Sequence, residues 1–183
     1  MLEDIEKVLI SKEQIAKKVA ELGAKISEDY AGINPVFIGI LKGSVVFFAD
    51  LIRQIEIPLE IDFLAVSSYG SSTNTTGEVK LIKDLDKSID GRHVIIVEDI
   101  VDTGLTLNFI REMLLMRKPL SVRSCALLDK PSSRKIEIDL DYFGFTVGNH
   151  FVVGYGLDYA ERYRNLQDIC VLKTETLVKD FFV

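Results

Sequence analysis

The chain has 183 residues, with 28 acidic and 22 basic side chains and a formal net charge of −6. That length suits one domain with a substantial core, and 48% hydrophobic against 27% charged residues is not the composition of a disordered chain. The acidic balance speaks against a non-specific binder of nucleic acid, which would normally be basic.

The N-terminal run MLEDIEKVLI is acidic and has no long apolar stretch, so it does not read as a signal peptide. Ser11 and Gln14 have capping-box spacing. Ile15, Val19, Leu22 and Ile26 then recur as one helical stripe, which Gly32 and Pro35 close. PVFIGIL, from Pro35 to Leu41, is a continuous apolar run and predicts a strand buried on both faces. Lys42-Gly43-Ser44 breaks it. SVVFFADLIRQI follows as a predicted helix with Val46, Ala49, Leu51 and Ile55 on its inner face. Leu59, Ile61 and Phe63 alternate with Glu60 and Asp62, the pattern of a half-exposed strand.

GSSTNTTG, from Gly70 to Gly77, carries no large apolar side chain and predicts a mobile loop. Strand character resumes from Val79 to Ile82, and Asp90-Gly91 marks a turn. HVIIV predicts a central strand ending at Glu98-Asp99. LTLNFIREMLLMRK is helical, with Leu107, Ile110 and Leu114 on one face, and Pro119 ends it before the strand VRSCALL. Strands alternating with helices imply βαβ units, a mainly parallel sheet and an α/β fold. The C-terminal third is less regular, with strand-like runs at 151–153 and 169–172. Cys125 and Cys170 lie in apolar runs without C-x-x-C spacing and read as buried thiols. His93 and His150 lack metal-ligand spacing. Every apolar run is far shorter than the ~20 residues of a membrane span. A cytoplasmic protein with no membrane partner is expected.

Ligands of open α/β sheets bind outside the carboxyl ends of the strands. There, Glu98 and Asp99 precede Asp102-Thr103-Gly104-Leu105-Thr106, which opens a helix. Unpaired N–H groups, two hydroxyls and a flexible glycine make a phosphate cradle. Glu98 and Asp99 supply oxygen donors for sugar hydroxyls or a hard cation. An isolated D-T-G-x-T could equally be a helix cap, and no Walker A sequence occurs.

The full run VIIVEDIVDTGLTL is more specific. It resembles the phosphoribosyl-pyrophosphate motif of type I phosphoribosyltransferases. LKGSVVFFADL, AVSSYGSST, LLDKPSSR and FVVGYGLDYAERYRNL follow the order found in hypoxanthine-guanine phosphoribosyltransferases, across most of the chain. The resemblance implies a single domain over 1–183, with a core of about 33–130. A small hood would come from the N-terminal segment and about 131–183. It implies transfer of 5-phosphoribosyl from phosphoribosyl pyrophosphate to N9 of hypoxanthine or guanine, giving IMP or GMP and pyrophosphate. Mg²⁺ would be the cofactor and a homodimer or homotetramer the assembly.

Roles carry over by position. Glu98 and Asp99 match acids that hold the ribose hydroxyls, partly through Mg²⁺. Asp102 matches the acid that takes the purine N7 proton. Thr103, Gly104, Leu105 and Thr106 match the 5′-phosphate loop. Lys42-Gly43 match a pyrophosphate turn whose peptide bond is often cis, and Arg164 matches a second pyrophosphate contact. Ser68-Tyr69 match the tip of a closing lid. Lys130 matches the reader of the 6-oxo group, Phe151 the ring stacked on the base, and Val152 a backbone contact to it. Asp158 matches a ligand of a second Mg²⁺, through water, with its backbone near purine C2. Leu105 and Ser44 depart from relatives that carry Lys and Gly there. Two competing readings are a non-catalytic nucleotide- or RNA-binding regulator and a phosphoribosyltransferase for adenine or a pyrimidine. The intact acids, Lys130 and the −6 charge speak against them.

Overall fold

The computed structural model describes residues 1–68 and 79–179. The expected lid loop, Gly70–Gly77, and Tyr69 lie outside the described residues. The elements are β1 (Ile5–Ile10), α1 (Lys12–Asp29), β2 (Val36–Leu41), α2 (Val45–Ile52), β3 (Glu60–Ser68), β4 (Val79–Lys83) and β5 (His93–Val101), followed by α3 (Leu105–Leu115), β6 (Ser121–Asp129), β7 (Tyr142–Thr146), β8 (Val152–Val153), β9 (Ile169–Leu172) and α4 (Thr174–Lys179). The main sheet has the order β4-β3-β2-β5-β6-β7. Its pairs are parallel except β3 with β4. A smaller antiparallel sheet, β1-β9-β8, ties the N-terminal strand to the C-terminal third.

The central strands are apolar throughout because both faces are covered. Phe37, Ile95, Val97 and Leu127 pack with Ile15, Val19, Leu22 and Ile26 of α1 and with Phe47, Phe48 and Leu51 of α2. The alternate residues Ile38, Ile40, Val94 and Ile96 pack on the other face with Leu107, Ile110 and Leu114 of α3. Helix α1 starts as its sequence predicts: the Ser11 hydroxyl accepts from Gln14 N, and Ser11 N donates to the Gln14 side chain at 2.8 Å. Both cysteines are buried free thiols, and burial raises their pKa values, as an inert role requires. No helix among the described residues is long and apolar enough to cross a membrane.

Four local expectations are corrected. Strand β5 does not end at Glu98-Asp99, because Ile100 and Val101 pair on with Leu128 and Asp129 of β6. The inner face of α2 is Phe47, Phe48 and Leu51, whereas Ala49 is exposed. The phenylalanines win because Phe48 packs on Phe63 at 4.9 Å between ring centroids. The alternation in β3 is reversed at one step, with Ile61 exposed and Asp62 buried, although Phe63 still packs against the core. Asp62 is tolerated there because it accepts from Phe63 N and Asp86 N and faces Lys83 at 3.6 Å. Finally, YFGFT forms β7 on the edge of the main sheet, which therefore runs past residue 130.

Asp62→Ala leaves the Phe63 and Asp86 N–H groups without their carboxylate. It is expected to cost about 1–3 kcal/mol in chemical denaturation; an unchanged midpoint would show that the network contributes nothing.

Candidate active site

The chain leaves β2 in both directions across the sheet, through β3 and β4 on one side and through β5, β6 and β7 on the other. The boundary between β2 and β5 is thus the topological switch point, where such folds open a crevice. The β2–β5 ladder stops at Gly39 opposite Val97. Beyond it, β2 stays with β3 as far as Leu41, and β5 stays with β6 as far as Val101. Lys42-Gly43 and Glu98 to Thr106 lie on the two lips of that split.

Gly104 caps α3 with φ of +84°, a left-handed conformation that suits glycine. Leu105 and Thr106 open the helix; Gly104 offers no side chain to cap it, and Leu105 N donates to the Thr103 hydroxyl at a long 3.4 Å. An anion can displace so long a contact at a helix start. A cavity of about 90 Å³ is lined by Glu98, Asp102, Thr103, Gly104 and Thr106. The Thr103 carbonyl is fixed by Lys135 N at 3.0 Å.

An adjoining cavity of about 240 Å³ is lined by Asp102, Lys130, Phe151, Val152 and Asp158, together with Asp99, Leu157 and His150. Five positions spread from 102 to 158 in sequence share this one wall. Lys130 is 9% exposed, and its Nζ lies 3.8 Å from Asp102 Oδ2. Asp102 Oδ1 is buried and has no hydrogen-bond partner among the described residues. Phe151 stays 44% exposed and meets Tyr159 edge-on at 5.3 Å. A donor and an unsatisfied acceptor thus face the same space beside an aromatic ring.

Glu98 is buried, and burial first, then the Asp99 charge, holds its pKa well above the carboxylate range. Asp99 is pushed up to about 6 by burial, although hydrogen bonds from backbone N–H groups and the nearby Arg164 charge oppose the shift. Two adjacent carboxylates with few partners suit a hard cation. No cluster of three or more His, Cys, Asp or Glu among the described residues could hold a metal ion.

The Leu41–Lys42 peptide is cis. A Cβ at Gly43 would overlap the Asp99 carboxylate, and one at Gly156 would overlap the Gly43 carbonyl. Lys42 Nζ reaches Glu161 Oε2 at 3.0 Å. Arg164 donates from Nη1 to the Gly156 carbonyl at 2.8 Å, and its Nη2 pairs with Asp158 Oδ1 at 2.8 Å. Asp158 therefore spends one oxygen on Arg164 and the other on Glu161 N. Ser44 is buried, and its hydroxyl donates to the Ile40 carbonyl. Ser68 pairs with Val79 at the end of β3.

The model of the phosphoribosyl transferase domain matches residues 9–160. The chain belongs to this family. It is 58% identical over 173 residues to the hypoxanthine-guanine phosphoribosyltransferase of Bacillus subtilis, covering 94% of this chain and 96% of that one. The Streptococcus agalactiae enzyme of the same name is 53% identical, with 98% and 100% covered. A crystal structure of a hypoxanthine phosphoribosyltransferase from Staphylococcus aureus superposes with a TM-score of 0.92 at 49% identity, covering 96% of each chain.

In this phosphoribosyl transferase, several site residues carry no local sequence signal. Arg134 donates through Nη1 to the carbonyls of Val101 and Asp102, and its Nη2 pairs with Asp129. It ties the segment bearing Asp102 to the end of β6, yet sequence shows only a loop arginine 32 positions away from Asp102. Gly156 against Gly43 and Glu161 against Lys42 are missed for the same reason, since those partners are distant in sequence. The pairing of Glu161 with Arg164 three residues on is within reach of local spacing.

Two outcomes follow from the packing and burial. Gly43→Ala is expected to weaken magnesium pyrophosphate binding about tenfold or more, the effect of roughly 1.4 kcal/mol of lost fit; calorimetric titration with an unchanged dissociation constant would mean that the turn does not touch the anion. Asp99 holds its proton more tightly folded than unfolded, so stability falls as pH rises from the ordinary carboxylate range through about 6. In metal-free protein, Asp99→Asn should flatten that part of the stability profile, and parallel profiles for the two proteins would refute it.

Proposed function

We propose that the protein transfers 5-phosphoribosyl from phosphoribosyl pyrophosphate to N9 of hypoxanthine or guanine, releasing pyrophosphate and forming IMP or GMP in purine salvage. One observation carries the choice of base: Lys130 and Asp102, whose Oδ1 has no hydrogen-bond partner among the described residues, sit side by side in the larger cavity. The 6-oxopurines present O6 and N7 along one edge. An ammonium is a donor only, so it suits O6 and opposes the 6-amino group of adenine. The names of the relatives agree with this reading.

In the reaction, the C1′–O bond to pyrophosphate breaks and its electron pair leaves with the pyrophosphate. N9 forms the new bond to C1′, and the proton on N7 passes to Asp102. Lys130 donates to O6, Phe151 covers a face of the base, and Val152 contacts it through backbone. The N–H groups of Thr103 to Thr106 hold the 5′-phosphate, with Leu105 adding no charge. Lys42-Gly43 and Arg164 hold the pyrophosphate. Ser68-Tyr69 belong to the closing lid, which keeps water from a cationic ribose.

Glu98 and Asp99 bind the ribose hydroxyls. Their short supply of partners also fits Mg²⁺, which completes its shell with water and substrate oxygens, while Asp158 would hold a second Mg²⁺ through water. When bound, Mg²⁺ supplies charge neutralisation for the leaving pyrophosphate. The same proposal includes a single working unit over 1–183, a homodimer or homotetramer, and a cytoplasmic location. The pairing of β1 with β9 supports the first.

Steady-state assays should show turnover with hypoxanthine and guanine and none with adenine. Asp102→Asn is expected to lower kcat by about 10²–10⁴, the usual worth of an acid–base group. Preferred use of adenine, or an unchanged rate in the variant, would overturn the assignment.

A further inference from the structure

Glu161 stands at the rim of the site with both pyrophosphate cations. Its Oε2 lies 3.0 Å from Lys42 Nζ, and its Oε1 lies 3.4 Å from Arg164 Nη2. One carboxylate spans two cations brought together by the fold. Lys42 foremost, with Arg164, holds the Glu161 carboxyl below its usual range.

The posture of Glu161 is built into the backbone. Tyr159 and Arg162 exchange N–H···O bonds at 3.1 and 3.0 Å, closing a two-residue turn over Ala160 and Glu161. Both central residues have positive φ, +51° and +61°. Tight hairpin turns of that kind favour Asn and Gly, not Ala and Glu. Strained backbone in non-glycine residues persists where the surroundings hold it, and it concentrates at functional sites. Here Asp158 Oδ2 accepts from Glu161 N at 2.9 Å, while Asp158 Oδ1 holds Arg164. Asp158 thus orients both the carboxylate and one of the cations it meets.

We propose that Glu161 is an internal stand-in for the pyrophosphate group. It neutralises Lys42 and Arg164 when no anion is bound, and an incoming pyrophosphate must displace it. The Lys42 and Glu161 side chains are 69% and 66% exposed, so the contact is weak enough to exchange. Such a competitor lowers affinity for the leaving group and so favours its departure. Glu161 is a positioning residue in this role, and the inference rests on Lys42 and Arg164 being the pyrophosphate contacts.

The test is calorimetric titration of magnesium pyrophosphate into the full chain at fixed ionic strength. Glu161→Gln should tighten binding by about three- to tenfold, the effect of one or two exposed ion pairs, and lower the KM for phosphoribosyl pyrophosphate without raising kcat. Glu161→Asp keeps the charge but is one methylene too short to span both cations, so it should tighten binding as well. Aspartate also tolerates positive φ, which protects the turn. A structural role alone would weaken binding in both variants and overturn the proposal. Tightening in Glu161→Gln alone would mark a general charge effect and also overturn it. Lys42→Met separates the two assignments. If it weakens binding while Glu161→Gln changes nothing, the pyrophosphate site stands and the stand-in fails. If Lys42→Met also changes nothing, the pyrophosphate site itself fails, and the stand-in with it.

Discussion

Two backbone turns and the Asp99 carboxylate meet at Gly43 with no space for a further side chain between them. The turn after β2 abuts the Asp99 carboxylate on one side and Gly156 on the other. Gly156 is in turn held by Arg164 through two bonds, N–H to the Arg164 carbonyl and carbonyl from the guanidinium. Residues more than a hundred positions apart are thereby fixed at van der Waals contact. Close packing transmits displacement rather than absorbing it. The approach of Gly156 to the Gly43 carbonyl, backbone to backbone, and of the Asp99 carboxylate to Gly43 therefore fixes how closely these segments sit.

The same packing sets the electrostatics. Glu98 and Asp99 are drawn into the protein at the end of β5, where water solvates a carboxylate poorly. For Glu98 no cation offsets that cost, and for Asp99 the Arg164 charge and backbone N–H groups offset only part of it. Backbone N–H groups at the start of α3 can hold an anion and add nothing to formal charge. A chain of net charge −6 and a polyanionic substrate are therefore compatible. Arg134 adds a further constraint by holding the carbonyls of Val101 and Asp102 from below. Asp102 faces the base cavity from a segment clamped at its main chain.

Legibility divided along the range of the interaction. The stripe of α1, the capping box at Ser11 and the buried face of α3 were readable because their period and spacing are local. The continuous apolar runs of β2 and β5 were readable because both faces of a central parallel strand are covered. The end of β5 was not, since Ile100 and Val101 are strand only through β6. Asp62 defeated the alternation rule because two of its partners, Asp86 N and Lys83, lie more than twenty residues further along the chain. β7 was invisible because YFGFT is an edge strand with an irregular pattern of burial.

By itself the sequence determined the α/β class, the order of the central elements, and the acid-rich, glycine-bearing loop at the end of β5. Those properties are written in short windows, where side-chain period and turn chemistry act between neighbours. Tertiary structure alone decided where the sheet splits, which charges face each other across the split, and how Gly43, Gly156 and Arg134 hold the loops in place. The physical reason is that packing at backbone contact and the pairing of a charge with a distant partner depend on closure of the chain. No local pattern encodes a neighbour 119 residues away, as Lys42 and Glu161 are.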